Sequence, residues 1–406
     1  MKKNILILLT CIVITTKAQL LLRVNSDSLS VYNLEGGDEF NQKQIDEDYW
    51  SLLPWPKTNI RQFFSFERSN VVLENGLAKF LLTKVDSVYR LQLHEVDSTF
   101  IKEQQLNLTN SSYLMKYNAG IVISKQKLHY GLYELRFRTE QGKGVWPAFW
   151  FFGGDKNEEI DVFELKGEKG NQIHVDTHCP YGCGRGYKNK IGLNSSWGGW
   201  VKITHSLHDG FNSVMLDWRP NEIIWYINGY PMAYFHGKFN NPMNLYINTQ
   251  VSSKYSAFRP GPDSTTTLPN TFMVDYLRIW KSYKSGDTIQ LKLNPLLNSN
   301  MYKTNYLNKT SKSKGVIYNE KKLKKENGII LISLQEKHNL RIETMGKLVD
   351  KKTKVFITQN AESIQLDLLN HENYYQLKPE TKSFSLKVEI NGKIFLKNIH
   401  VEMNAN

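Results

Sequence analysis

The sequence predicts an all-β protein, with a large antiparallel sandwich or barrel over residues 19–285 and a smaller C-terminal β-rich region over residues 286–406. Three observations carry this reading: apolar residues recur with period 2 rather than 3.6, Asn-Gly steps separate apolar runs, and all nine tryptophans precede residue 285. The first two set the class, because alternate side chains of a strand point to opposite faces and Asn-Gly supplies the positive φ of a tight hairpin. The third is a break in composition, and the Gly, Pro, Asn and Ser residues of 282–300 make it a boundary.

The elements follow in chain order. Within residues 130–138, Tyr133, Leu135 and Phe137 share one face, and Leu132, Glu134, Arg136 and Arg138 share the other. Residues 211–218, 223–227 and 272–280 also read as strands, and Asn228-Gly229 marks a hairpin after the middle one. Many short strands joined by turns imply a sandwich or barrel. In the tail, Ile364, Leu366 and Leu368 alternate with Gln365 and Asp367, and Asn391-Gly392 joins residues 384–390 to 393–403. No internal repeat is visible, and the lysines at 321, 322, 324 and 325 read as a solvated face.

Residues 1–18 have the layout of a signal peptide: Lys2-Lys3, an apolar run from Ile5 to Ile14, then Thr-Thr-Lys-Ala before Gln19. That run is too short for the roughly 20 residues that cross a bilayer, and no comparable run follows. A secreted or periplasmic protein with no transmembrane segment is expected. Cys11 offers lipoprotein attachment as an alternative, which Thr10 and the continuing apolar run disfavour. Export permits a disulfide between Cys179 and Cys183, which would stiffen one turn; two free thiols are the other reading. Residues 19–285 hold 29 Lys/Arg against 27 Asp/Glu, whereas residues 286–406 hold 20 against 12. The net charge of +13 therefore lies mostly outside the large region, and a nucleic-acid partner is not expected.

The chemistry concentrates in Glu158-Glu159-Ile160-Asp161-Val162-Phe163-Glu164, which follows the aromatic run 146–152. In a regular strand Glu159 and Asp161 share a face and Glu164 points away. One β-bulge after Asp161 would return Glu164 to their face. Paired carboxylates about 5–5.5 Å apart are what a retaining glycosidase needs, one to attack C1 and one to protonate the leaving oxygen. Asp161 between them would hydrogen-bond Glu159, and its charge would help hold a proton on Glu164. A solvated acidic strand end is the plain alternative, and the upstream Trp146 and Trp150, on which sugar faces stack, argue against it.

The segment 142–150 with EIDVFE (159–164) resembles the active-site strand pair of glycoside hydrolase family 16 in its bulged form. Residues 37–41 with Ile45-Asp46 and Trp50, residues 123–125 with Tyr130-Gly131, and residues 242–248 and 273–280 extend the resemblance over about 36–281. It implies a concanavalin-like β-jelly roll with an open cleft. It further implies Glu159 as nucleophile, Asp161 as its supporting carboxylate, Glu164 as general acid/base and Trp146 as a sugar platform. Trp150 and His178 join the substrate-binding set, with His174 as a second histidine candidate. Asp275 matches a position that binds a structural calcium in some members; no other cofactor is expected.

The loop 179–190 fits no single specificity group. Its Arg185, Lys188 and Lys190 would suit an acidic galactan, or simply form a solvated loop. The expected activity is therefore endo-hydrolysis of a β-1,3 or β-1,3-1,4 glucan, or of a galactan such as agar, porphyran or carrageenan, by a monomer. Transglycosylation on the same fold and a non-catalytic lectin-like role are the alternatives. The tail has no assigned role; without tryptophan, only tyrosines such as Tyr374 and Tyr375 offer sugar-stacking surfaces there.

Overall fold

The computed structural model describes residues 19–283 apart from 26–27, 55–57, 60–61, 91–111, 155–156, 181–186, 189–193 and 255. In the C-terminal part it describes 289–292, 326–334, 339–345, 353–359, 362–366, 368, 372–378, 383–390 and 393–404. The expected signal segment and lipoprotein cysteine lie outside these residues. Among the described residues the only helical element is the 3-10 turn Arg68–Asn70, and no helix is long and apolar enough to cross a membrane.

Two sheets face each other across one core. The first runs Tyr187–Lys188, Asn194–Lys202, Gln172–His178, Glu158–Glu164, Val145–Gly153, Asn244–Val251, Ile121–Ser124 and Trp50–Ser51. The second places Tyr230–Phe235, Glu222–Ile227, Asn212–Arg219, Gly131–Thr139, Asn270–Ser282 and Ser28–Asp38 side by side, with Leu77–Arg90 also pairing Asn270–Ser282. The pattern is a concanavalin-like β-jelly roll. Tyr133, Leu135 and Phe137 from one sheet meet Phe149, Phe151, Ile160 and Phe163 from the other, with Phe137 stacked on Phe163 at 4.6 Å. The hairpin at Asn228-Gly229 has the two positive φ values, 48° and 77°, that such a turn requires.

The second sheet is covered on its outer face too, which a simple in/out alternation does not anticipate. Glu134 is fully buried there, and its carboxylate accepts hydrogen bonds from Ser213 Oγ (3.0 Å), Tyr276 OH (2.9 Å) and Trp280 Nε1 (3.1 Å). Three donors meet the need of a charge removed from water. Nearby, Arg278 makes a two-pronged contact with Glu39 (2.8 and 3.1 Å), tying the 36–41 segment to the closing strand. Losing the glutamate would strand a buried guanidinium, at a cost of about 3–5 kcal/mol. Gly37 is required beside it: with φ of 124°, a Cβ there would lie 2.0 Å from the Leu277 carbonyl oxygen.

The cover comes from both chain ends. Gln19–Asn25 pairs with Ser28–Asp38 on one side and with Glu326–Leu334 on the other, so the second sheet continues into Asn339–Met345 and Glu372–Gln376. Leu21, Tyr32, Ile329, Leu331 and Met345 pack on Leu132, Met215, Tyr226 and Trp280 of the jelly roll. Arg23 (3.0 Å), Arg219 (2.8 Å) and Tyr32 (3.0 Å) converge on buried Asp217. Leu20, Leu22 and Val24, on the other face of the same strand, enter a further core with Ile330, Ile332, Val355, Leu386 and Val388. Main-chain pairing therefore joins the regions on either side of residue 285. The expected tail hairpin is present as Ser383–Ile390 paired with Lys393–Asn404, and Leu366 and Leu368 are buried.

Candidate active site

On the Val145–Gly153 side of the carboxylate strand, Phe152 lies opposite Glu159, Trp150 opposite Asp161, Phe149 opposite Phe163 and Ala148 opposite Glu164. One step on the aromatic strand matches two on the other between Asp161 and Phe163, so Val162 is the additional residue of a β-bulge. This is the kink expected after Asp161. Ile160, Val162 and Phe163 are buried in the core, while Glu159, Asp161 and Glu164 project from the opposite face. The Asp161 carbonyl oxygen at the bulge accepts a 3.0 Å hydrogen bond from Trp225 Nε1, reaching across from the other sheet.

On the other side, the strand Gln172–His178 presents His178 opposite Glu159, Asp176 opposite Asp161 and His174 opposite Glu164. His-x-Asp-x-His is one residue shorter than Glu-x-Asp-x-x-Glu, and the bulge absorbs the difference. His174 Nδ1 lies 3.3 Å from Glu164 Oε2, and Trp146 Nε1 donates to Glu164 Oε1 at 3.1 Å, so both oxygens of that carboxyl are held. Asp161 is 2% exposed and hydrogen-bonds Glu159 side chain to side chain. Its Oδ2 has no hydrogen-bond partner, although His178 Nε2 lies 3.6 Å away, at the same distance as from Asp176 Oδ2.

Burial, reinforced by the neighbouring charges of Glu164 and Asp176 and opposed by His178, pushes the Glu159 carboxyl up to about 7. Burial raises Asp161 well above the usual carboxylate range, with Glu164, Glu159 and Asp176 adding to it. Asp161, the deeper of the pair, keeps its proton and donates it to Glu159, leaving Glu159 as the oxygen able to carry charge. Burial thus raises both members of the Glu159–Asp161 pair.

A stability prediction follows. The folded Glu159 carboxyl binds its proton more tightly than the unfolded one, so its ionisation destabilises the fold progressively as pH rises from about 4.5 to about 7. Glu159→Gln is expected to stabilise the protein by roughly 1–3 kcal/mol at pH 8 and by almost nothing at pH 4. Thermal unfolding at the two pH values checks this; an equal effect at both would contradict it.

Aromatic rings line the same face. Trp146 stacks on Phe258 at 4.3 Å and Trp150 on Tyr246 at 4.2 Å, while Trp150 Nε1 donates to Asn248 Oδ1 at 2.8 Å. Trp200 lies 5.0 Å from the His174 ring and 5.3 Å from Phe258. Phe258 and Tyr246 each cover one face of Trp146 and Trp150, which fixes those two planes.

The structure thus brings together Glu159, Asp161, Glu164, Trp146, Trp150, His174 and His178. It adds Asp176, Trp200, Tyr246 and Phe258, which sequence reasoning did not single out. Tyr246 and Asn248 were open to detection, since they alternate within the 242–248 segment; Phe258 lies in a loop and gave no signal. Arg185 and the side chains of Lys188 and Lys190 lie outside the described residues. So does Cys183, while Cys179 is disulfide-bonded. Asp275 sits on the other sheet, ion-paired with Arg136. Among the described residues no three His, Cys, Asp or Glu side chains cluster as metal ligands.

A β-jelly roll with two glutamates flanking a third carboxyl on an aromatic-lined open face is the architecture of a glycoside hydrolase. Residues 85–278 match the family described as "Glycosyl hydrolases family 16", and the chain resembles that family over those residues. It is 24% identical over 190 residues to a Rhodothermus marinus protein named "Beta-glucanase", covering 41% of this chain and 63% of that one. It is 25% identical over 288 residues to "Glucan endo-1,3-beta-glucosidase A1" of Niallia circulans, covering 61% of this chain and 38% of that one. The matches thus span less than two thirds of either relative. Among solved structures, the catalytic domain of an endo-1,3-beta-glucanase (laminarinase) from Thermotoga petrophila RKU-1 aligns with a TM-score of 0.49 and 20% identity, covering 62% of this chain and 99% of that one.

Proposed function

We propose that this protein is an exported, retaining endo-glycosidase that cleaves internal β-1,3 or β-1,3-1,4 linkages of a glucan. In this reading Glu159 attacks the anomeric carbon while Glu164 protonates the departing glycosidic oxygen. Glu164 then removes a proton from water, which releases the sugar from Glu159 with its original configuration. The observation that carries the reading is the bulge, which sets both glutamates on one face.

The spacing supports retention. Glu159 and Glu164 oppose Phe152 and Ala148, four residues apart, so their Cα atoms stand about 13 Å apart at ~3.3 Å per residue. Retention needs the two side chains to lean toward each other until their carboxyls stand about 5–5.5 Å apart. That range suits attack without an intervening water. Asp161 holds Glu159 in place by a hydrogen bond. Trp146 and His174 orient Glu164, and Trp150 offers a platform for the sugar.

Two relatives named for glucans support the glucan class over a galactan. Export is supported by the layout of residues 1–18 and by the disulfide at Cys179, which persists in oxidising compartments. A reducing-end assay on laminarin, lichenan, agarose, porphyran and carrageenan tests the substrate, with laminarin or lichenan expected to be cut. Proton NMR of the first-formed anomer tests retention, and an added acceptor sugar separates hydrolysis from transfer. Release of the inverted anomer would overturn the mechanism.

A further inference from the structure

The triad strand has a counterpart that the mechanism above does not use. His174, Asp176 and His178 stand register for register against Glu164, Asp161 and Glu159. His174 has a task, since it holds Glu164. Asp176 and His178 do not, yet they converge where the site carries an unmet demand: Asp161 Oδ2, buried and without a hydrogen-bond partner. An isolated buried acceptor of this kind is costly, because the group loses water without gaining a donor. It persists where a neighbour can satisfy it in another state of the site.

That neighbour is His178. Its Nε2 faces Asp161 Oδ2 and Asp176 Oδ2, each at 3.6 Å, and its ring is 44% exposed, so it has room to shift. A ring nitrogen facing two carboxyl oxygens carries the proton, because its lone pair would be repelled by both. One N–H therefore stands between two acceptors, just beyond hydrogen-bond distance of each. Asp176 is anchored on its other oxygen, Oδ1, by the Thr177 backbone N–H at 2.7 Å, so it competes from a fixed position.

We infer that Asp176 is a positioning residue that acts through His178: by attracting the His178 Nε2–H it sets whether that donor closes on Asp161, and through Asp161 how readily Glu159 carries charge. The inference rests on the reading of Glu159 and Glu164 proposed above. Sharing the N–H leaves Asp161 less satisfied as an acceptor, so it keeps its own proton on the bond to Glu159. Giving the N–H wholly to Asp161 favours the ionised form of the pair. The groups facing Asp161 are Glu159 and Glu164 on its own strand, His174, Asp176 and His178 on the next, and Tyr246 beyond Trp150 on the far side.

Removing either partner should move the acidic limb of the pH profile, and in opposite directions. Asp176→Asn withdraws a negative charge and the competing acceptor, so the limb of kcat/KM moves to lower pH by about one unit. His178→Ala withdraws the donor and its positive polarisation, so the limb moves to higher pH by a similar amount and kcat falls about tenfold. His178→Gln, which restores an N–H donor, is expected to recover most of that kcat. The profiles are measured with the full chain on the polysaccharide that the wild-type protein cleaves, alongside Glu159→Ala and Glu164→Ala, with unfolding temperatures confirming that each variant folds. A purely structural role would lower activity without moving the limb. Limbs that stay fixed, or move in the same direction, while both glutamate variants are inactive would overturn the inference and leave the glycosidase reading standing. Unimpaired glutamate variants would remove the reading itself.

Discussion

Glu159→Ala lowers kcat on polysaccharide by at least about 10⁴-fold, and azide restores part of it. Removing a nucleophile costs several orders of magnitude because the covalent route is lost entirely. The alanine leaves a space on the side of the anomeric carbon from which the carboxylate attacked. A small anion entering that space displaces the leaving group once instead of twice, so the glycosyl azide carries inverted configuration. Mass spectrometry and NMR of the azide product check this. Rescue that produced a glycosyl azide of retained configuration would place the nucleophile elsewhere.

Glu164→Ala depends on the leaving group. On polysaccharide, where the departing oxygen needs a proton, the loss is about 10²–10⁴-fold. On an aryl glycoside with an acidic phenol the first step needs no proton and stays near the wild-type rate. Hydrolysis of the intermediate slows instead, since Glu164 also activates water, and the phenol is released in a burst. Trp146 and His174 would still hold the sugar-facing surface, so KM changes little compared with kcat. Equal losses on both substrates would contradict the acid/base role.

The parts of this fold legible in the sequence were those encoded locally. The Asn228-Gly229 hairpin and the alternation of Tyr133, Leu135 and Phe137 depend on neighbours in the chain. The bulge at Val162 was legible for a chemical reason: two glutamates five residues apart reach one strand face only if an extra residue is inserted between them. Asp176 was hidden because its meaning comes from standing across from Asp161, and register between strands is not written in either strand alone. The same holds for Asp275, whose partner Arg136 lies on another strand, and for Phe258, which a loop delivers to Trp146. The burial of Glu134 was equally silent, since alternation pointed it to the outside and only the tail strands cover that side.

Gln19 standing opposite Ser333 has a consequence for how the polypeptide comes together. The first described strand leaves the ribosome long before one of its two neighbours, Glu326–Leu334. Until then its amides and carbonyls on that side await a mate, and an unmated β-edge readily recruits strangers. Assembly of this molecule therefore closes only once residues 326–334 have emerged, and its most aggregation-exposed interval is the wait for them.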